Sequence, residues 1–173
     1  EEALAAKGKD EALHLVKDML YNPGSVFYVR QQQPAGLGHA VWCARYLVGS
    51  EPVAVLLADD LILGASCVKE MVDAYKAGNM VAVMDVPHEQ TGSYGIVTPG
   101  ADDGRIVQVE GLVEKPDPSS APSNIAVVGR YIITPEVFET LAAQEHGAGG
   151  EIQLTDALAK QIGKAPFSGV RFS

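Results

Sequence analysis

Several short stretches place carboxylates, an amide or a lysine beside glycine or proline, where chain ends and ligand loops are found. Asp59 follows the apolar run Val53-Ala54-Val55-Leu56-Leu57, so a strand would deliver its carboxylate to the rim of a sheet. There a magnesium ion can bridge it to phosphate oxygens, although a turn or helix-cap aspartate is the plainer use. Glu114-Lys115 precedes Pro116 at the end of another strand-like segment. Neighbouring side chains of a strand point to opposite faces, which predicts that this pair is not simply an ion pair. Glu114 can accept from sugar hydroxyls and Lys115 can neutralise a phosphate, against the alternative of a solvated pair ahead of a turn. The loop Arg30-Gln31-Gln32-Gln33-Pro34-Ala35-Gly36-Leu37-Gly38-His39 joins a predicted strand to a predicted helix. Gln31 can present its amide to a nucleobase. The glycines otherwise mark a tight turn and fit neither a Walker loop nor a dinucleotide fingerprint. Gly149-Gly150-Glu151-Ile152-Gln153-Leu154-Thr155-Asp156 reads as a glycine-hinged helix start with acidic groups in its first turns. His14, His39, His88 and His146 show no metal-ligand spacing, and no serine or cysteine sits in a nucleophile elbow. Covalent catalysis and a zinc site are therefore disfavoured.

The bulk properties narrow the partners. A formal net charge of −9 with no Lys or Arg cluster argues against nucleic acid and anionic membranes. A small phosphorylated ligand stays possible, because a divalent ion and one or two cations can dominate inside a cleft. Cys43 and Cys67 belong to no ligand pattern and read as idle thiols of a reducing cytoplasm. No apolar run approaches the roughly 18 residues a membrane span needs, and no signal peptide opens the chain. A chain of 173 residues is expected to form one globular unit.

The elements that must position these groups follow from periodicity. Residues 1–20 predict an amphipathic helix, stopped by Tyr21-Asn22-Pro23-Gly24, and Val26-Phe27-Tyr28-Val29 predicts a strand. A helix is expected over residues 39–47. Residues 53–57 lack alternation, as a strand buried on both faces of a helix-covered parallel sheet does. A helix over 66–76 and a strand over 80–86 complete a parallel crossover unit. Tyr94-Gly95-Ile96-Val97 and Ile106-Val107-Gln108-Val109-Glu110 predict a hairpin, with Pro99-Gly100 and Asp102-Asp103-Gly104 as its turn residues. Residues 116–122 form a loop, 125–133 a strand, 135–144 a helix with Thr134 as N-cap and Pro135 first, and 152–162 another helix. The fold class is thus α/β: a mainly parallel mixed sheet with an antiparallel insertion from about Gly92, and ligands at the strands' carboxyl ends.

Taken in order, Arg30-Gln31, Gly36-Leu37-Gly38-His39-Ala40-Val41, Leu56-Leu57-Ala58-Asp59-Asp60, Tyr94-Gly95-Ile96-Val97, Val113-Glu114-Lys115-Pro116, Pro122-Ser123-Asn124-Ile125-Ala126, Gly129-Arg130-Tyr131 and Gly150-Glu151-Ile152-Gln153-Leu154-Thr155-Asp156 resemble the bacterial UTP–glucose-1-phosphate uridylyltransferases. The resemblance implies a Rossmann-like nucleotidyltransferase fold, divided into a nucleotide-binding part over 1–91 and a sugar-phosphate-binding part over 92–173. It implies formation of UDP-glucose and pyrophosphate from UTP and glucose 1-phosphate with Mg2+, in a cytoplasmic homo-oligomer. It further implies that Gln31 and Gly36 contact uracil, Asp59 holds magnesium, Gly95 approaches the sugar, Glu114 binds glucose hydroxyls and Lys115 binds the sugar phosphate, with Asp59 and Lys115 the catalytic pair. Ala58 stands where relatives commonly carry proline. The family's Gly-x-Gly-Thr-Arg loop has no counterpart here, and the sequence stops at Arg171-Phe172-Ser173. These departures lead to the expectation of a partial domain, cut short at both ends and catalytically incompetent by itself. A glucose-1-phosphate thymidylyltransferase and a noncatalytic sugar-nucleotide-binding module are the rival readings. Gly36-Leu37-Gly38-His39 favours uridylyl over thymidylyl transfer, since thymidylyl relatives usually carry Gly-Leu-Ala-Gln there.

Overall fold

The computed structural model describes residues 1–143 and 145–173, which fall into two compact units, Glu1–Arg30 and Gln31–Ser173. In the first, the single helix expected over residues 1–20 is two helices, α1 (Glu2–Ala5) and α2 (Asp10–Asp18). Between them Gly8 takes a left-handed φ of 61°, a conformation that does not continue a helix. The strand expected at residues 26–29 does not form, and Tyr28 is 95% exposed. β-branched and aromatic residues favour a strand where a neighbour supplies hydrogen bonds and a packing face, and among the described residues none pairs with this segment.

The second unit carries α3 (Leu37–Cys43), β1 (Val53–Leu56), α4 (Cys67–Ala74), β2 (Asn79–Asp85), β3 (Gly95–Asp102), β4 (Ile106–Glu114), β5 (Ile125–Ile133), α5 (Pro135–Leu141), α6 (Leu154–Ala159) and β6 (Phe167–Arg171). The strands form one mixed sheet in the order β1-β5-β2-β6-β4-β3, with a further contact between β3 and β5. The α/β architecture and mixed sheet agree with the sequence, but the pairing is less parallel than expected. Among the strands of the described residues, β2 and β6 alone pair in parallel, and every other pair is antiparallel. The crossover from β1 through α4 to β2 leaves both strands running the same way, with antiparallel β5 between them.

That insertion also corrects the reading of residues 53–57. Among the described residues β1 borders only β5, its side chains alternate between half-buried and exposed, and Leu56 is 53% exposed. The rule that an unbroken apolar run lies inside a sheet holds instead for β5, buried along its whole length except Arg130. On one face of the sheet Val81, Val83, Val127, Tyr131 and Ile133 pack with Val137, Phe138 and Leu141 of α5 and Leu154 and Leu158 of α6. On the other, Met80, Ala82, Val128 and Ile132 pack with Cys67 and Met71 of α4. Helices therefore cover both faces, the layering such a pattern requires.

The hairpin forms as predicted, though its turn is narrower. Asp102 Oδ1 accepts the Gly104 N–H at 2.9 Å, and Asp103 Oδ1 accepts those of Ile106 and Arg105 at 2.6 and 2.8 Å. The bonds from Ile106 and Arg105 hold the Asp103 carboxyl below the usual aspartate range. Pro99-Gly100, expected to turn, stays inside β3, where the register slips on both sides of Pro99. β4 is long enough to keep pairing past the proline, and bulges absorb the missing donor. This pairing sets Glu114, the last residue of β4, opposite Gly95, the first of β3.

Helix starts follow local chemistry. Ser66 caps α4, its hydroxyl accepting the Lys69 N–H at 3.3 Å. Thr134 holds the N-cap position of α5 and Pro135 the first helical one, without a side-chain cap bond. The end expected for this helix, Gln144, lies outside the described residues. The helix expected from Ile152 begins at Leu154, because the Ile152 backbone is engaged elsewhere. No helix among the described residues is long and apolar enough to cross a membrane.

Candidate functional site

Three groups of predicted residues gather in the second unit, and the backbone shows why each sits where it does. The first is the loop before α3. Gln31 Nε2 donates to the Gly36 carbonyl at 3.0 Å and lies 2.9 Å from His39 Nδ1, closing the loop onto the helix start. The Ile152 N–H donates to the Ala35 carbonyl and the Gly38 N–H to the Ile152 carbonyl, both at 2.8 Å. Residues 151–153, read as part of a helix start, therefore form a strap across the loop, and the helix itself begins directly after them at Leu154. Gly36, with φ of 101°, and Gly38 are required by that strap: a Cβ on either would lie 2.8 Å from the Ile152 carbonyl.

The second group stands at the end of the hairpin. A Cβ on Gly95 would lie 3.2 Å from Glu114 Oε2 and 3.4 Å from Thr155 Oγ1, so the glycine forms a floor with a carboxylate on one side and a hydroxyl on the other. Thr155 is buried in the first turn of α6, directly after the strap. Residues 151–155 thus touch the Gly36 loop at one end and the Gly95 floor at the other. Lys115 corrects the expectation drawn from strand alternation, for its Nζ lies 3.9 Å from Glu114 Oε1. β4 ends at Glu114, and Lys115 adopts a left-handed φ of 44°, alone in this among the described non-glycine residues. That conformation costs a side-chain-bearing residue about 1 kcal/mol and swings the lysine off the strand's alternation. The Lys115 side chain is 57% exposed while that of Glu114 is 13% exposed, so the pair has a sheltered anion and a solvated cation.

The third group is the turn after β1. Arg130 is the one charged residue of β5, and its guanidinium donates to three backbone carbonyls: Leu57 at 3.0 Å, Gly129 at 2.8 Å and Asp60. The Leu57 N–H donates to the Gly129 carbonyl at 2.8 Å. Gly129 leaves room for the Asp60 carboxylate, which a Cβ there would strike. Asp60 is thus packed against β5, while Asp59 is exposed. The Tyr131 phenol is pushed well above the ordinary tyrosine range, first by burial and then by the negative charges of Glu114, Asp60 and Asp59. The charges of all three carboxylates therefore act on the same phenol.

Thr155, Tyr131, Arg130 and His39 complete these groups, although sequence reasoning assigned them no role. Arg130 had a legible signal: a charge inside the apolar run of residues 125–133 must find partners when that run is buried. The other three stand inside the motifs that carry the resemblance, but which side chains they meet is decided by the fold. Among the described residues no three His, Cys, Asp or Glu side chains converge as a metal cluster. A hard divalent ion that keeps water and phosphate oxygens in its shell needs only one or two carboxylates, and the exposed Asp59 can offer one.

Comparison with known proteins shows the family. The chain is 49% identical over 175 aligned positions to the UTP–glucose-1-phosphate uridylyltransferase of Komagataeibacter xylinus; the match covers 99% of the chain and 62% of that protein. A UDP-glucose pyrophosphorylase crystallised with UDP-glucose superposes with a TM-score of 0.78 and 37% identity, covering 85% of the chain and 58% of its own. The UTP-bound enzyme of Acinetobacter baumannii gives 0.81 and 32%, covering 99% and 61%. The chain therefore spans about three-fifths of the length of these relatives. The family profile described as nucleotidyl transferase matches residues 8–167, a span that takes in the Gly36 loop, the β1 turn, the hairpin end and the strap, and the chain belongs to that nucleotidyl transferase family.

Proposed function

We propose that the polypeptide carrying this sequence forms UDP-glucose and pyrophosphate from UTP and glucose 1-phosphate. The observation that carries the reading is the hairpin end. There a sheltered carboxylate and a solvated ammonium lie 3.9 Å apart beside the Gly95 floor, an acceptor for sugar hydroxyls next to a cation for a phosphate. The names of the similar proteins support the same substrates, one bound to UDP-glucose and one to UTP. In this reading residues 1–91 serve the nucleotide and 92–173 the sugar phosphate. Gln31 and Gly36 meet uracil, Gly95 and Glu114 meet glucose, and Lys115 meets its phosphate.

A phosphate oxygen of glucose 1-phosphate attacks the α-phosphorus of UTP in line, the bond to the β-phosphate breaks, and pyrophosphate leaves. The nucleophile is already anionic, so no general base is needed, and the chain's task is alignment and charge neutralisation. Glu114 fixes the sugar, Lys115 holds the attacking phosphate, and the strap keeps base and sugar subsites at a set separation. Asp59 would hold Mg2+, which when bound supplies further neutralisation at the phosphate oxygens. Free Cys43 and Cys67 suit a reducing cytoplasm, and a homo-oligomer belongs to the same proposal. The sequence contains no Gly-x-Gly-Thr-Arg segment to grip a triphosphate, so the 173 residues alone are proposed to bind UDP-glucose without turning over.

Calorimetric titration of UDP-glucose into this chain tests the reading. Binding should weaken at least about tenfold in Glu114→Gln and in Lys115→Met, each of which removes a charged hydrogen-bonding group. Unchanged affinity in both variants would refute it.

A further inference from the structure

The Gln31 amide is already half engaged within the protein. Its nitrogen faces the Gly36 carbonyl at 3.0 Å, and a carbonyl can only accept, so the NH2 end of the amide must be the end turned inward. The same nitrogen lies 2.9 Å from His39 Nδ1, and its second hydrogen points to that ring atom. Nδ1 therefore accepts, and the neutral ring carries its proton on Nε2, the nitrogen 3.9 Å from Cys43 Sγ. Both amide hydrogens are engaged, and among the described residues Gln31 Oε1 has no partner. A side chain able in principle to serve either edge of a base is left with an acceptor alone. His39 is held in turn by its ring stacking on Trp42, with centroids 6.0 Å apart.

We infer that His39 is a positioning residue for base choice: by accepting from Gln31 Nε2 it turns Gln31 Oε1 toward the ligand and selects a base that presents an N–H there. This rests on the proposal that Gln31 meets the base. Uracil carries an imide N–H at N3, and thymine shares it. Cytosine in the same pose carries a lone pair at N3 and meets the Gln31 oxygen with repulsion. The selected class is thus an imide pyrimidine, and its selector is a residue that does not touch it.

Saturation-transfer NMR on this chain with UMP and CMP tests the idea. The unaltered chain should prefer UMP by about tenfold, the worth of one matched hydrogen bond. His39→Phe keeps a ring against Trp42 but removes the acceptor, and should bring the preference below about twofold. His39→Leu should do the same without the ring, so that failure of one variant to fold leaves the other to decide. His39→Asn places an acceptor oxygen near the Nδ1 position and should restore the preference, which a packing role would not do. Retention of the full preference in His39→Phe or His39→Leu overturns the inference. Gln31→Leu separates the two layers: loss of UMP binding upholds Gln31 as the base contact whatever His39 does. Undiminished binding in Gln31→Leu, or no transfer to either nucleotide in the unaltered chain, removes the base site and the inference with it.

Discussion

Glu114 and Asp59 are both carboxylates at the ends of strands, yet they are held in opposite ways. Glu114 closes a two-stranded ladder, with Gly95 opposite and Thr155 behind, and its side chain is 13% exposed. Asp59 lies one turn beyond an edge strand and is exposed; what fixes its turn is the backbone, gripped by Arg130 through the Leu57 and Asp60 carbonyls. The first arrangement presents a pre-oriented acceptor in a partly dry place, where hydroxyl hydrogen bonds gain most. The second presents a wet carboxylate on a fixed main chain, which suits an ion that keeps its water. One sheet thus offers a rigid polar pocket and a hydrated rim, and the charges of both act on the Tyr131 phenol.

The contrast can be broken first at the rigid end. Gly95→Val should abolish UDP-glucose binding, by about 100-fold or more, because even a single Cβ would sit 3.2 Å from Glu114 Oε2 and the branched side chain has nowhere to go between it and Thr155. Titration calorimetry reads the loss, and normal binding by the Gly95→Val variant would show that Glu114 is not confined as described. At the rim, Arg130→Met should cost about 3 kcal/mol in urea unfolding, since three carbonyls lose a charged donor. Hydrogen exchange should quicken at residues 58–60 and stay slow in β3 and β4. Uniform quickening across both regions would mean that they are not separately held. The smallest effect is expected at Lys115. Lys115→Gly removes the penalty of φ 44° but adds freedom to the unfolded chain, for a net gain of about 0.5 kcal/mol in the same unfolding assay. Stability should rise slightly while sugar-phosphate binding falls, and a loss of stability would place the strain elsewhere.

The sequence was most informative where short-range physics decides. The span of β5, the hairpin with its Asp-Gly turn, Ser66 at the head of α4 and Pro135 at the head of α5 all appear where periodicity and cap chemistry put them. It misled where a partner was needed. Residues 26–29 have strand chemistry and no strand to pair with. Residues 53–56 have the composition of a central strand and lie at an edge, because β5 takes the place between β1 and β2. Pro99-Gly100 looked like a turn and is a bulge, since β4 continues alongside it.

The same division runs through the candidate site. Gln31, Gly36, Asp59, Gly95, Glu114 and Lys115 were legible as residue types at strand and loop ends, because amides, carboxylates and a lysine beside glycine or proline carry their chemistry in the side chain itself. Tertiary structure alone decided which of them share surroundings and which atom each turns outward: Glu114 beside Thr155, Lys115 swung back by its backbone, Gln31 reduced to an acceptor by His39. Composition and spacing fix what a group can donate or accept, whereas the capacity left for a ligand depends on neighbours that only the folded chain brings within hydrogen-bond reach.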